Sequence, residues 1–125
     1  MTTARNPIHW FEIPTSDLNR AKKFYEAVFT TELSLNQLGP LKMALFPMVA
    51  GVPGATGALV ESKHYTPSHD GTLIYFSVPD IEATLQRVTA NGGKIINAKT
   101  SIGEYGFVGH FEDSEGNRVA LHSVT

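Results

Sequence analysis

The chain has 125 residues, ten Lys/Arg against twelve Asp/Glu for a formal charge of −2, 42% apolar and 18% charged residues, and no cysteine. That is the size and composition of one folded domain with its own core. It excludes a disulfide framework, a cysteine zinc site and a cysteine nucleophile, and it leaves no basic footprint for nucleic acid. No apolar run approaches the roughly 20 residues of a membrane helix. Met1 to Pro7 lacks the apolar stretch of a secretory signal, so a cytoplasmic protein is expected.

Ile8 to Ile13 is short, aromatic and β-branched, and reads as a strand stopped by Pro14. Ser16 or Asp17 then caps a helix, in which Leu18, Ala21, Phe24, Tyr25, Val28 and Phe29 share a face. Three short strands follow at Glu32–Leu38, Leu41–Phe46 and Ala55–Glu61, punctuated by Gly39-Pro40 and the Gly51–Gly54 stretch. Ser62 to Gly71 is polar, carries Pro67, and reads as a linker that leaves His64 and His69 to solvent.

The plan then repeats. Thr72 to Val78 reads as a strand followed by Pro79, and Asp80 caps a helix with Ile81, Leu85 and Val88 on one face. Asn91-Gly92-Gly93 ends that helix. Strands fit Lys94–Ala98, Phe107–Glu112 and Arg118–Ser123, the last two joined as a hairpin through Asp113–Asn117. Phe11-Glu12-Ile13-Pro14 matches Phe76-Ser77-Val78-Pro79, a period of about 65 residues that suits a duplicated βαβββ unit.

Three stretches in this order resemble the vicinal oxygen chelate superfamily, the glyoxalase, bleomycin-resistance and ring-cleaving dioxygenase group. They are Phe11-Glu12-Ile13-Pro14 through Asp17-Leu18 to Phe24-Tyr25; Val78-Pro79-Asp80-Ile81 through Asn91-Gly92-Gly93; and Phe111-Glu112-Asp113-Ser114-Glu115-Gly116-Asn117. Two departures stand out: Thr30 follows Phe29 where the family often has glycine, and Ser114 replaces a common proline. The resemblance implies an α+β fold over residues 1–125. Two βαβββ modules (about 7–61 and 72–125, with the linker at 62–71) form a curled mixed sheet with an open cleft and outer helices.

The resemblance also implies four metal ligands, one from the first and last strand of each module. Here those positions fall on Trp10, Leu73 and Ala120, none of which ligates a metal, and on Glu61, the only candidate. The usual site is therefore incomplete and no cofactor is expected. A divalent metal would need a relocated set drawn from Glu12, Glu61, His110 and His122.

Strand alternation puts Trp10 with Glu12, and Ala120 with His122, on the cleft face, where Glu61, Tyr75, Ser77, His110 and Glu112 are also expected. Tyr105 lies on a loop at the cleft mouth. Glu12 and His122 are the candidate catalytic residues, as bases toward an acidic C–H or hydroxyl, and Tyr75 is a donor. Trp10, Tyr75, Tyr105 and His110 are the candidate substrate-binding residues. The expected function is small-molecule binding in the cleft, as a lyase, isomerase or dioxygenase-type enzyme. The alternatives are a ligand-sequestering protein of the antibiotic-resistance kind, which would stack a flat ligand on Trp10, Tyr75 and Tyr105, and a degenerate interaction module. A homodimer is expected because an uncovered sheet edge invites pairing.

Overall fold

The computed structural model describes residues 6–125. Its elements run β1 (Trp10–Thr15), α1 (Leu18–Phe29), β2 (Ser34–Leu38), β3 (Leu41–Leu45), β4 (Thr56–Glu61), β5 (Tyr75–Ser77), α2 (Ile81–Ala90), β6 (Lys94–Ser101), β7 (Phe107–Glu112) and β8 (Arg118–Ser123). They form two four-stranded mixed sheets, ordered β1-β4-β3-β2 and β5-β8-β7-β6. In each, the strand before the helix runs parallel to the last strand of its module, and the other pairs are antiparallel. The fold is α+β, with two βαβββ modules.

Three elements differ most from their sequence patterns, and one of them, β6, runs past Ala98 to Ser101. β1 continues through Pro14 to Thr15. It is the outer strand of its ladder, so the N–H that proline lacks is not required on the open side. β5 spans only Tyr75–Ser77, although its apolar pattern starts at Thr72. The Ile74 carbonyl still accepts from Ala120 N–H at 2.9 Å, and Thr72 and Ile74 line a recess described below.

Asp17 caps α1 as its side chain accepts from the Arg20 N–H at 3.1 Å. Two glutamates distant in sequence, one from β4 and one from the β7–β8 turn, complete the job. Glu61 Oε1 accepts from Leu18 N–H at 2.8 Å, and Glu115 Oε1 accepts from Ser16 and Asp17 N–H, each at 2.9 Å. Arg20 closes on Glu115 with Nε at 2.7 Å. Burial pulls the Glu115 carboxyl upward, but the hydrogen bonds from Arg20, Asp17, Ser114 and Ser16 outweigh it and hold the group below its ordinary value.

Both helices feed one core. Leu18, Ala21, Phe24, Tyr25 and Val28 of α1 pack in the same cluster as Ile81, Leu85 and Val88 of α2 and Phe111, Val119 and Leu121 of the second sheet. Phe76 ties the modules together, its ring 4.5 Å from Phe29 and 5.6 Å from Phe11. Within this core Tyr25 Oη donates to Asp113 at 2.7 Å. Burial, then the Asp113 carboxylate, pushes the Tyr25 phenol well above its ordinary value. Asn117 joins the same group, its Nδ2 donating to Asp113 at 3.0 Å and to the Pro14 carbonyl at 2.8 Å. The β7–β8 turn is thereby fastened to the end of β1.

Candidate functional site

Alternation sets the two faces of each sheet. Ile13 and Leu59 enter the helix-side core, while Trp10 packs against Met43, Ala58 and Val60 on the opposite face. Glu12 shares that opposite face and is held by two neutral donors. Trp10 Nε1 donates to Oε2 at 3.2 Å, and Tyr65 Oη donates to Oε1 at 2.7 Å. The hydrogen bond to Glu12 is the main cause that raises the Tyr65 phenol. Glu61, expected in the cleft, follows the buried Val60 and turns the other way, toward the N-terminus of α1, where its oxygen caps the helix.

Tyr65 belongs to the connection between the modules, which lies across the site. Beyond Tyr65, Ser68 N–H donates to Asn117 Oδ1 at 3.1 Å, and His69 Nε2 meets Glu112 at 2.8 Å. The connection is therefore anchored to both sheets. Beneath it is a recess of roughly 240 Å³, lined by Glu12 and Pro14 of β1, Thr66, Ser68 and Thr72 of the connection, and Arg118 of β8, among others. Glu12 thus reaches the same recess as residues of the second module. His122 is not among its lining residues.

On the second sheet, Phe111 and Leu121 enter the core and leave Tyr75, His110, Arg118, Ala120 and His122 on the other face. Ala120 is fully buried and is opposite Tyr75 in one ladder and His110 in the other. Its small side chain lets Tyr75 Oη reach His110 Nε2 at 3.4 Å, with the rings edge-on at 5.8 Å. Arg118 Nε and Nη2 donate to His110 Nδ1 at 3.1 and 2.8 Å. With its side-chain amide oriented to satisfy both ends, Asn97 accepts from Arg118 Nη2 at 3.2 Å. Burial, then the Arg118 charge, lowers the His110 pKa.

His122 is committed elsewhere: its Nε2 donates to the Tyr105 carbonyl at 2.5 Å. That carbonyl is presented by a short 3-10 turn, Gly103–Tyr105, closed by Gly106 at φ 102°. A Cβ at Gly106 would stand 2.4 Å from the Ser123 carbonyl, so the turn needs glycine there both for its φ and for its space. The Tyr105 ring itself is exposed.

The residues do not fit the metal that the fold implies. Trp10 and Ala120 offer no ligand atom, and Leu73 lies outside β5 and offers none either. Glu61 spends an oxygen on α1. Among the described residues no three His, Asp or Glu side chains are grouped to hold an ion. Glu12, Glu61, His110 and His122 are held by four separate sets of partners.

Sequence reasoning missed Arg118 and Tyr65, and read the polar connection only as a linker. Arg118 was within reach, because it lies two residues before Ala120 and so shares its face. Tyr65 lies in an aperiodic polar stretch with no signal to mark it.

These features coincide with a known family. The profile of the Glyoxalase/Bleomycin resistance protein/Dioxygenase superfamily matches residues 7–121, and the chain belongs to that superfamily. A glyoxylase-like domain-containing protein of Didymella fabae is 31% identical over 118 residues, covering 91% of each chain. Among solved structures, a glyoxylase/bleomycin resistance protein/dioxygenase domain from Frankia sp. EAN1pec superposes with a TM-score of 0.73 at 16% identity, covering 95% of this chain and 98% of that one. The genomically encoded fosfomycin resistance protein FosX of Listeria monocytogenes gives a TM-score of 0.67 at 19% identity, over 97% of this chain and 92% of its own. At such identities the two structures speak for the fold alone.

Proposed function

We propose that this chain binds a small organic molecule on the face that the two sheets share, in and beside the recess under the connecting segment. The observation that carries this reading is the convergence there of Glu12 from β1, Thr66, Ser68, Asp70 and Thr72 of the connection, and Arg118 from β8. A concave site with a few convergent polar groups is the usual form of a ligand pocket. Trp10, Tyr75 and His110 are not among the residues that line the recess. In this reading a ligand that extends beyond it would meet Trp10 on the Glu12 side and Tyr75 and His110 on the Arg118 side, with Tyr105 as an outer aromatic surface.

Within this reading Glu12 is the proton acceptor toward an acidic C–H or hydroxyl, and Tyr75 is the donor to the opposing oxygen. Both Glu12 oxygens already accept one hydrogen bond and keep lone-pair capacity for a ligand proton. His122 would act through Nδ1, because Nε2 carries its hydrogen toward Tyr105. This is acid–base chemistry of the isomerase or lyase kind; ligand sequestration without turnover is the competing outcome. Titration of a metabolite and antibiotic library, followed by backbone amide shifts, tests the reading. Binding should move residues 10–12, 65–72 and 118, and Glu12→Gln should weaken it. Recovery of the ligand altered marks an enzyme, and recovery unchanged marks a sequestering protein. Shifts confined to the helix side would refute the assignment.

A further inference from the structure

Arg118 points to a more specific role for the second sheet. A guanidinium can only donate, so His110 Nδ1, which receives both Nε and Nη2, carries no hydrogen. His110 is therefore neutral, with its hydrogen on Nε2, directed at Tyr75 Oη. With its oxygen engaged as an acceptor, the Tyr75 hydroxyl hydrogen is free to point outward, and the residue is 49% exposed. The three side chains thus form a chain of donors in one direction, from a permanent cation to an exposed hydroxyl.

The charge is not cancelled on the way. Glu112 is opposite Arg118 in the ladder, but its oxygens meet His69 at 2.8 Å and Lys94 at 4.0 Å instead. Among the described residues Arg118 has no carboxylate within ion-pair distance. Two further carboxylates, Glu12 and Asp70, line the recess that Arg118 also lines, but neither is within ion-pair distance of it. Glu12 is held by Trp10 and Tyr65, and His122 is turned to the Tyr105 carbonyl. A partly buried cation relayed through a neutral imidazole favours negative charge at the end of the chain.

We propose that the Tyr75 hydroxyl, backed by His110 and Arg118, is an oxyanion-binding site that selects ligands with a phenolate- or enolate-type oxygen. Tyr75 makes the contact, and His110 and Arg118 are positioning residues. The proposal rests on the reading that this face binds a small molecule, and adds the ionisation state and oxygen chemistry of that molecule. The negative oxygen sits on the Tyr75 hydrogen, and any flat ring attached to it extends along the exposed aromatic surface.

The probe is para-nitrophenol, whose ionised form absorbs visibly, with nitrobenzene as the control that lacks the oxygen. Protein should shift the absorbance titration of the phenol to lower pH, and nitrobenzene should bind at least about tenfold more weakly. Tyr75→Phe should abolish the shift. Arg118→Gln should reduce it, while Arg118→Lys, which keeps the charge without the fork, should restore part of it. Nitrogen-15 spectra of wild-type protein should show His110 neutral and protonated on Nε2, and Arg118→Gln should disturb that state. The site does not exist if the phenol titration is unmoved, if Tyr75→Phe leaves it shifted, or if His110 carries its hydrogen on Nδ1. If nitrobenzene binds this face as well as the phenolate does, the oxyanion proposal falls and the small-molecule reading stands. If neither ring perturbs the face, the oxyanion proposal falls, and the wider reading is judged by its own library titration.

Discussion

Thr30 is a β-branched residue held at φ 52°, where its Cβ crowds the backbone. It ends α1 in the left-handed conformation, with its N–H on the Glu26 carbonyl, a position that glycine fills without strain. Thr30→Gly should therefore raise stability by about 0.5–1 kcal/mol, after allowing for the greater freedom of glycine in the unfolded chain. Urea unfolding would measure it, and a loss would mean that the Thr30 side chain contributes more than its strain costs. His110 makes a second residue-scale case. Its folded pKa lies below the unfolded value of about 6.5, because burial and then Arg118 disfavour the charged ring. Between those two values the unfolded chain holds more protons. The contribution is thus full above about pH 6.5 and is lost as pH falls through the folded value. His110→Gln should flatten that part of the stability profile, and an unchanged profile would contradict the assignment.

At the scale of elements, the start of α1 is built by residues the helix does not own. Glu115 comes from the β7–β8 turn, and its side chain has no exposed surface. Glu115→Gln should cost about 1–2 kcal/mol by weakening two backbone caps and the Arg20 pair. The folded Glu115 carboxyl is held below its ordinary value, so its contribution is present above about pH 4.3 and disappears as acid protonates it. Thermal melts of both proteins across the acid range would show their difference shrinking. Much of this level was legible in the chain. Asp17 and Asp80 announced their helices as caps, and the apolar spacing of Leu18 to Phe29 gave the packed face. The turn Asp113–Asn117 gave the last hairpin. Pro14 misled because proline stops a central strand, and only the strand order reveals that β1 is outermost. Contacts such as Glu115 with Ser16, or Tyr65 with Glu12, join residues far apart in sequence and leave no periodic trace.

The whole molecule leaves β2 exposed along its length, with Leu35 at 61% and Leu38 at 65% exposure on an outer strand. An open ladder edge carrying two bare leucines is a pairing liability, and we expect a homodimer to cover apolar surface of this kind. Light scattering at micromolar concentration should give twice the chain mass, and Leu35→Lys should shift it toward the monomer if β2 is the covered edge. A monomeric wild-type protein would dispose of the idea. The donor set sets a second expectation at this scale. With Trp10 and Ala120 where ligands would stand and Glu61 turned to α1, elemental analysis of dialysed protein should find well under one equivalent of divalent metal. A stoichiometric ion would require Glu12, His110 or His122 to leave the partners they hold.

The connecting segment is fixed to one sheet through Tyr65 and to the other through Ser68 and His69, with the recess beneath it. The recess is partly open, and release of an anchor would widen the way in and out of it. Exchange of a molecule lodged there would then be set in part by a motion of the protein. Tyr65→Phe removes the anchor on Glu12 while keeping the ring. Stopped-flow measurements should find association and dissociation both faster in that variant, with their ratio changed far less than either.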